Sequence, residues 1–193
     1  MRKWQNAPTF TCIGTFCLFC TSAWSCGLVV VIRRVRPGDA PLIGDVYRAA
    51  AEQGTLARMP DEVDDAYVVD FMRSATDGLE VVAEVDGKVV GELHAARLSP
   101  RQFAHVLGEL TIAVHPAQQG KGVGRKLFEE FLRIVREEMP DIHRVELYAW
   151  GENKGAVRLY ESVGFRLEGT LPRRVRTDSG EWRDDVVYGW LRT

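Results

Sequence analysis

Seven residues, Gln119-Gly120-Lys121-Gly122-Val123-Gly124-Arg125, combine three glycines with two cations between an apolar run ending at Val114 and a strongly amphipathic stretch. Glycine lets a backbone approach a ligand closely and turn its N–H groups inward. A helix that starts here presents about half a positive charge at its N-terminus. Together these features predict a pyrophosphate site, with Lys121 and Arg125 as mobile charges beside it. A P-loop, GxxxxGK followed by Ser or Thr, is excluded because its sixth position, counted from Gly120, is Arg125. A dinucleotide-binding GxGxxG is disfavoured because the third glycine comes one residue early, which counts against an NAD(P)-dependent oxidoreductase. A glycine turn that only caps a helix is the plain alternative, and the loop alone does not decide between them.

The elements around the loop narrow the choice. Leu28 to Val35 reads as a β-branched strand, and Pro37-Gly38-Asp39 then opens a helix over about Ala40 to Gln53. A second helix is expected over Asp61 to Ser74, with acidic residues in its first turn. Asp86-Gly87 joins the strands Leu79–Val85 and Lys88–His94 as a type I′ hairpin. Val106 to Val114 is the strand before the glycine loop, and an amphipathic helix follows over about Gly122 to Met139. Further on come a strand over Arg144 to Ala149, a helix over Asn153 to Val163 and a strand over Phe165 to Thr170. Asp178-Ser179-Gly180 then turns the chain into a last strand, Asp185 to Leu191. This order predicts an α/β (α+β) domain with a mixed, mostly antiparallel sheet of about seven strands and helices on both faces.

Leu110-Thr-Ile-Ala-Val-His-Pro116, followed by Gln119-Gly-Lys-Gly-Val-Gly124 and a helix, resembles the Q/R-x-x-G-x-G/A signature of the GNAT superfamily of N-acetyltransferases. Asn153-Lys-Gly-Ala-Val-Arg-Leu-Tyr-Glu-Ser-Val-Gly-Phe165 resembles that family's second motif, an Asn-to-Tyr helix closed by Gly-Phe. The resemblance runs from about Val29 to Leu191 and implies acetyl-CoA as co-substrate, with no metal. It implies that Gln119, Gly120, Lys121, Gly122, Val123, Gly124 and Arg125 hold the pyrophosphate. It also implies that the fourth and fifth strands splay, so that backbone at Ile112, Ala113 and Val114, with Asn153, meets the pantetheine arm and the oxyanion. Asn153 reads equally well as the N-cap of its helix.

Acetyl transfer to an amine sets two proton problems. At an ordinary pKa near 10.4, only about one amine in 2,500 is neutral at pH 7, a penalty of roughly 4.6 kcal/mol. The resemblance implies Glu109 as the carboxylate that removes the proton, directly or through water, although a solvated Glu is a poor base and burial or a water chain would have to help. His94 and His105 are alternatives that need no tuning, and each also reads as a packing or surface residue. Tyr160 matches the tyrosine that faces the departing sulfur.

The acceptor is less legible. Acidic Asp61, Glu62, Asp64 and Asp65 suit a cationic amine, and Arg173, Arg174 and Arg176 suit a carboxylate, though charge runs also serve as solvated faces. The tail from Phe165 onward resembles that of bacterial relatives acting on free amino acids, and it also occurs in those acting on ribosomal-protein N-termini. The reading is therefore a free amino acid or small amine, with an N-terminal or ribosomal-protein acetyltransferase, or a non-catalytic acetyl-CoA sensor, as alternatives.

The chain has 193 residues with a net charge of −2, which suits one domain and gives no basic excess for nucleic acid. Residues 28–193 form the expected domain. Residues 1–27 are an extension that holds all four cysteines, Cys12, Cys17, Cys20 and Cys26. It reads as upstream sequence before a true start near Val29, as a signal- or anchor-like segment, or as disorder. The C-x4-C-x2-C-x5-C spacing lacks two separated pairs and any histidine, so no zinc site is read there. A cysteine-free body points to the cytoplasm; the resemblance implies a bacterial protein, with no membrane partner expected and a homodimer left open.

Overall fold

The computed structural model describes residues 29–177 and 179–193. The first 28 residues, which include Leu28 of the expected first strand, and Asp178 of the expected turn lie outside the described residues. Seven strands and four helices follow in the order expected: β1 (Val30–Arg34), α1 (Ala40–Glu52), α2 (Asp65–Ser74), β2 (Leu79–Val85), β3 (Lys88–Arg97), β4 (Val106–Val114), α3 (Val123–Glu138), β5 (Arg144–Trp150), α4 (Lys154–Ser162), β6 (Arg166–Arg176) and β7 (Trp182–Leu191). They build one sheet in the order β1-β2-β3-β4-β5-β7-β6. Every neighbouring pair is antiparallel except β4 and β5.

Period-2 alternation sends each central strand's side chains to two different cores. Val81, Ala83 and Leu93 face α3, whose Leu127, Phe128, Phe131 and Val135 recur at helical spacing along its buried side. Val82 and Ala113 face the opposite way, against Ile43, Val46 and Tyr47 of α1 and Phe71 of α2. With helices on both faces, the centre of the sheet has no wet side, so any polar residue on β2 or β3 must find a partner inside. At the Asp86-Gly87 turn both residues have positive φ, 50° and 76°, as a type I′ hairpin requires.

Two expectations need correction. The helix expected from Asp61 is instead a 3-10 turn over Pro60–Glu62, with α2 starting at Asp65. The acidic run is divided between two caps. Glu62 accepts from the Met59 N–H at 2.9 Å, Asp64 accepts from the Tyr67 N–H at 2.7 Å, and buried Val63 sits between them in a non-helical conformation. The second correction concerns β6, which runs to Arg176 through Pro172 rather than ending at Thr170. It is an edge strand, where a proline costs no ladder bond, and it bulges between Leu171 and Val175, where Arg173 adopts a φ of 54°.

Phe131 is fully buried in the core beneath α3. Phe131→Ala is expected to cost about 3–5 kcal/mol, read as a lowered urea midpoint with an unchanged slope.

Candidate active site

The glycine loop leaves β4 through a 3-10 turn at Pro116–Gln118, which His115 caps by accepting the Ala117 N–H at 3.2 Å. Gly120 and Gly122 have φ values of 72° and 81°, and Gly122 is the left-handed N-cap of α3 with no side chain over the first-turn N–H groups. A Cβ at either glycine would meet nothing within 4 Å, so these two positions answer to backbone conformation and to whatever occupies the open space. Gly124 is different: a Cβ there would lie 3.1 Å from Leu159 Cδ2, so the third glycine lets α3 pack closely against α4. The loop forms one wall of a cleft of about 700 Å³, with Asn153, Arg158 and Tyr160 on the other side. A helix N-terminus, inward backbone and the guanidiniums of Arg125 and Arg158 suit a pyrophosphate.

Beside the cleft the sheet opens. β4 and β5 register only at Val106↔Arg144 and Leu107↔Val145. From Gly108 to Val114, β4 has no strand partner on that edge among the described residues. Ile112 and Val114 line the same cleft as the glycine loop. Ala113 turns its side chain into the α1–α2 core, so only its backbone is available to a ligand. Asn153 caps α4, its Oδ1 accepting the Ala156 N–H at 3.1 Å, and it also lines the cleft, so the two expected roles coexist in one residue.

A throat lined by Thr111, Ile112, Tyr148, Asn153 and Tyr160 joins this cleft to a larger cavity of about 1110 Å³. Tyr160 borders both the throat and the cleft. Its ring packs against Phe128, with centroids 5.6 Å apart. Burial pushes its hydroxyl up to about 12. Among the described residues that hydroxyl has no protein hydrogen-bond partner.

The larger cavity lies between α2, β3, β4 and the β6–β7 hairpin, with Arg58, Tyr67, His94, Glu109 and Arg174 in its walls. Glu109 is the extra residue of a bulge opposite Ala95, with a φ of 53°, and it is exposed. Arg58 lies over the Tyr67 ring at 4.1 Å. Arg174 lies over Tyr148 at 4.0 Å and donates to Asp185 at 2.9 Å. Behind His94 is a buried polar cluster. The Tyr47 hydroxyl donates to Glu92 Oε2 at 2.6 Å, and His94 Nδ1 lies 3.1 and 3.2 Å from the two Glu92 oxygens. Glu80, His94's direct partner on β2, is also buried, and its Oε1 has no hydrogen bond.

The family model of the acetyltransferase (GNAT) family matches residues 45–165. The chain belongs to this family. It is 31% identical over 159 residues to the L-amino acid N-acyltransferase MnaT of Escherichia coli, covering 79% of this chain and 88% of that protein. It is 30% identical over 147 residues, 72% of this chain, to a mycothiol acetyltransferase of Paenarthrobacter aurescens, and spans only 38% of that protein's length. Among solved structures, the acetyltransferase yncA of Salmonella typhimurium, determined with acetyl-CoA, superposes with a TM-score of 0.74 at 25% identity, over 84% of this chain and 93% of that one. A ribosomal-protein-alanine N-acetyltransferase of Brucella melitensis also gives 0.74, at 27% identity, over 84% and 99%.

The seven-stranded GNAT sheet thus brings most of the expected residues to one continuous opening. Gln119, Gly120, Gly122, Val123, Gly124 and Arg125 line the cleft. Lys121 does not: its Nζ donates to Gln118 Oε1 at 3.1 Å, on the solvent side of the turn. Gln119 reaches back instead, donating to the Val114 carbonyl at 3.0 Å and tying the loop to β4. Of the three arginines expected to suit a carboxylate, only Arg174 lines the cavity; Arg173 is not among its lining residues, its backbone N–H donating to Asp184 Oδ1 at 2.9 Å, and Arg176 lies over Trp182. His105 lies exposed at the start of β4, away from the cavity. Among the described residues no helix is long and apolar enough to cross a membrane. The buried Tyr47–Glu92–His94–Glu80 cluster was not anticipated. Its signal in the sequence was two glutamates inside otherwise apolar strands.

Glu80 makes this cluster measurable. Burial first, then the charge of Glu92, holds its carboxyl up to about 8, against 4.5 ordinarily. Between those values the folded chain keeps a proton that the unfolded chain has lost, so the position costs stability as pH rises and levels off above the folded value. Glu80→Gln is expected to raise stability by about 1–3 kcal/mol near pH 8.5 and by almost nothing near pH 4.5. Thermal melts at both ends of that range check it, and an equal gain at both would show that Glu80 does not hold this proton.

Proposed function

We propose that the chain transfers an acetyl group from acetyl-CoA to the amine of a free amino acid or similar small primary amine, by direct attack in a ternary complex. The observation that carries this is the throat at Thr111 and Tyr160. It joins a cleft suited to a pyrophosphate and pantetheine to a walled cavity that carries both carboxylates, among them Glu62, Asp70 and Glu109, and the guanidiniums of Arg58 and Arg174. Such mixed charge suits a zwitterion better than a simple cation. The E. coli relative named as an L-amino acid N-acyltransferase supports the same acceptor class.

In this reading the pyrophosphate lies on the α3 N-terminus between Arg125 and Arg158, and the pantetheine arm runs along the unpaired edge of β4. That edge supplies N–H groups to the thioester oxygen as it becomes an oxyanion. Glu109, at the cavity wall, draws the ammonium and orients it, while Arg58 and Arg174 face its carboxylate. The amine nitrogen forms the new bond to the carbonyl carbon, the C–S bond breaks, and the sulfur leaves beside Tyr160. With the hydroxyl held near 12 and a thiol ordinarily near 8.5, complete transfer of the Tyr160 proton is uphill by roughly 5 kcal/mol. Tyr160 therefore serves as a hydrogen-bond donor to the developing thiolate and relays the amine's second proton to it.

Release of free coenzyme A thiol from acetyl-CoA, measured with a panel of amino acids, polyamines and short peptides, tests the acceptor. Release that depends on amino acids is expected, and dependence on peptides alone would replace this reading with an N-terminal acetyltransferase. Tyr160→Phe is expected to lower kcat by about 10- to 1,000-fold while leaving acetyl-CoA affinity nearly intact. An equal loss of both would make Tyr160 a packing residue. Gly122→Asp sets a left-handed strain and a negative charge against the pyrophosphate, and it is expected to abolish the rise in Tm caused by acetyl-CoA.

A further inference from the structure

We propose that His94, held by Glu92, is the group that takes the proton from the acceptor amine. This inference rests on the acetyl-transfer reading above and reassigns its first proton step. The expected base, Glu109, is exposed, so direct proton removal there would have no help from burial. His94 lies in the same cavity wall but is buried, and every hydrogen bond it makes among the described residues runs through Nδ1. A carboxylate on Nδ1 fixes the tautomer, directs Nε2 outward and stabilises the imidazolium that forms, which is the logic of a carboxylate–histidine base.

The surroundings hold the ring in place. Phe71 stacks on it with centroids 4.4 Å apart and planes 6° from parallel. Glu92 has no exposed surface and is held from the other side by Tyr47. A carboxylate this deep in a sheet centre is costly for folding, and a hydrophobic residue of similar size would serve the core at least as well. The position is also right for the chemistry. Thr111 pairs directly with His94 across β3 and β4 and lines both the cavity and the throat.

The groups facing His94 come from every neighbouring element. Tyr47 lies on α1, Tyr67 and Asp70 on α2, Glu80 on β2, Glu92 on its own strand, and Glu109 on the bulge of β4, with Arg58 across the cavity. Burial pulls the imidazole down. The charge and hydrogen bond of Glu92, then Glu80 and Glu109, outweigh it, so His94 stands above its ordinary value. Activity should therefore rise with pH as the imidazolium loses its proton. The step balances as follows. The ammonium gives one N–H proton to Nε2 of neutral His94, and its freed lone pair forms the C–N bond as C–S breaks. The second N–H proton ends on the coenzyme sulfur beside Tyr160, and the imidazolium returns its proton to water.

The test is kcat against pH, from about 5.5 to about 9.5, on the amino acid most active with the wild type. His94→Gln is expected to lower kcat by about 100-fold or more and to abolish the acid limb, with acetyl-CoA affinity retained. Glu92→Gln keeps the size and removes the charge, so it is expected to move the acid limb down by about one pH unit. Glu109→Gln is expected to raise KM for the amine while leaving the limb in place. An unchanged limb in His94→Gln, or loss of the limb in Glu109→Gln, overturns the proposal. Where a buried variant fails to fold, the titration of His94 followed by NMR in the wild-type acetyl-CoA complex decides. A ring that titrates above about 6.5 is expected, and one that never titrates between about pH 5 and 9 overturns the assignment. A wild type inactive on every acceptor sinks the amino-acid reading by itself, and that same NMR titration still judges His94.

Discussion

A sheet normally satisfies the backbone N–H and C=O groups of its central strands by pairing them on both sides. Here β4, in the middle of seven strands, is paired with β5 for only two registered residues and then stands alone on that edge. The other parts of the site are arranged around this gap. The bulge at Glu109 turns the strand just after pairing ends, and a Cβ at Gly108 would come within 2.9 Å of Leu98. Below the gap, α4 brings Asn153 and Tyr160 up from the β5 side, and the glycine loop closes the far end. An unpaired edge inside a protein is unfavourable unless another extended chain completes it, and a pantetheine arm has the right form to do so. The cleft thus lies along an unpaired stretch of the hydrogen-bond ladder, bounded by a helix N-terminus.

The same architecture explains why charge is buried behind the larger cavity. With α3 on one face and α1 and α2 on the other, β2 and β3 have no solvent side, so Glu80, Glu92 and His94 sit where apolar residues would serve the core better. They are tolerable as a group. Tyr47 stays a hydroxyl, its ionisation suppressed by burial and then by Glu92, and so remains a donor. Glu80 holds its proton beside the charge of Glu92. Glu92 is thus met by the Tyr47 hydroxyl and the His94 ring, with the protonated Glu80 buried close by. The site gains a pre-oriented histidine, and the fold carries its cost in the pH dependence of stability.

Much of the fold was legible because its signals are local. Asp86-Gly87 is one of the few residue pairs that accept two positive φ values cheaply, and the spacing of Val123, Leu127, Phe131 and Val135 allows one helical face. Elements bounded by competing signals were harder. The acidic run at Asp61–Asp65 looked like one helix start and proved to be two caps around buried Val63. Strand β6 was read too short because Pro172 is a stop signal everywhere except on an edge strand, and edge position is a property of the sheet.

For the candidate site, the sequence by itself determined the glycine-loop wall of the cleft. Glycines at 120 and 122, the helix behind them and the Asn-to-Tyr helix are contiguous segments whose geometry is set locally. It did not distinguish Gly124, a packing glycine, from its two neighbours, or Lys121, which faces solvent, from Arg125. The larger cavity was decided only by tertiary structure. Arg58, Tyr67, His94, Glu109 and Arg174 come from five separate stretches of chain and meet only when α2 and the β6–β7 hairpin close over the sheet. Glu80 and Glu92 look like ordinary alternating polar positions until both sheet faces are known to be covered. Burial, and the proton chemistry that follows from it, depends on what packs above a residue, and that neighbour is distant in the sequence.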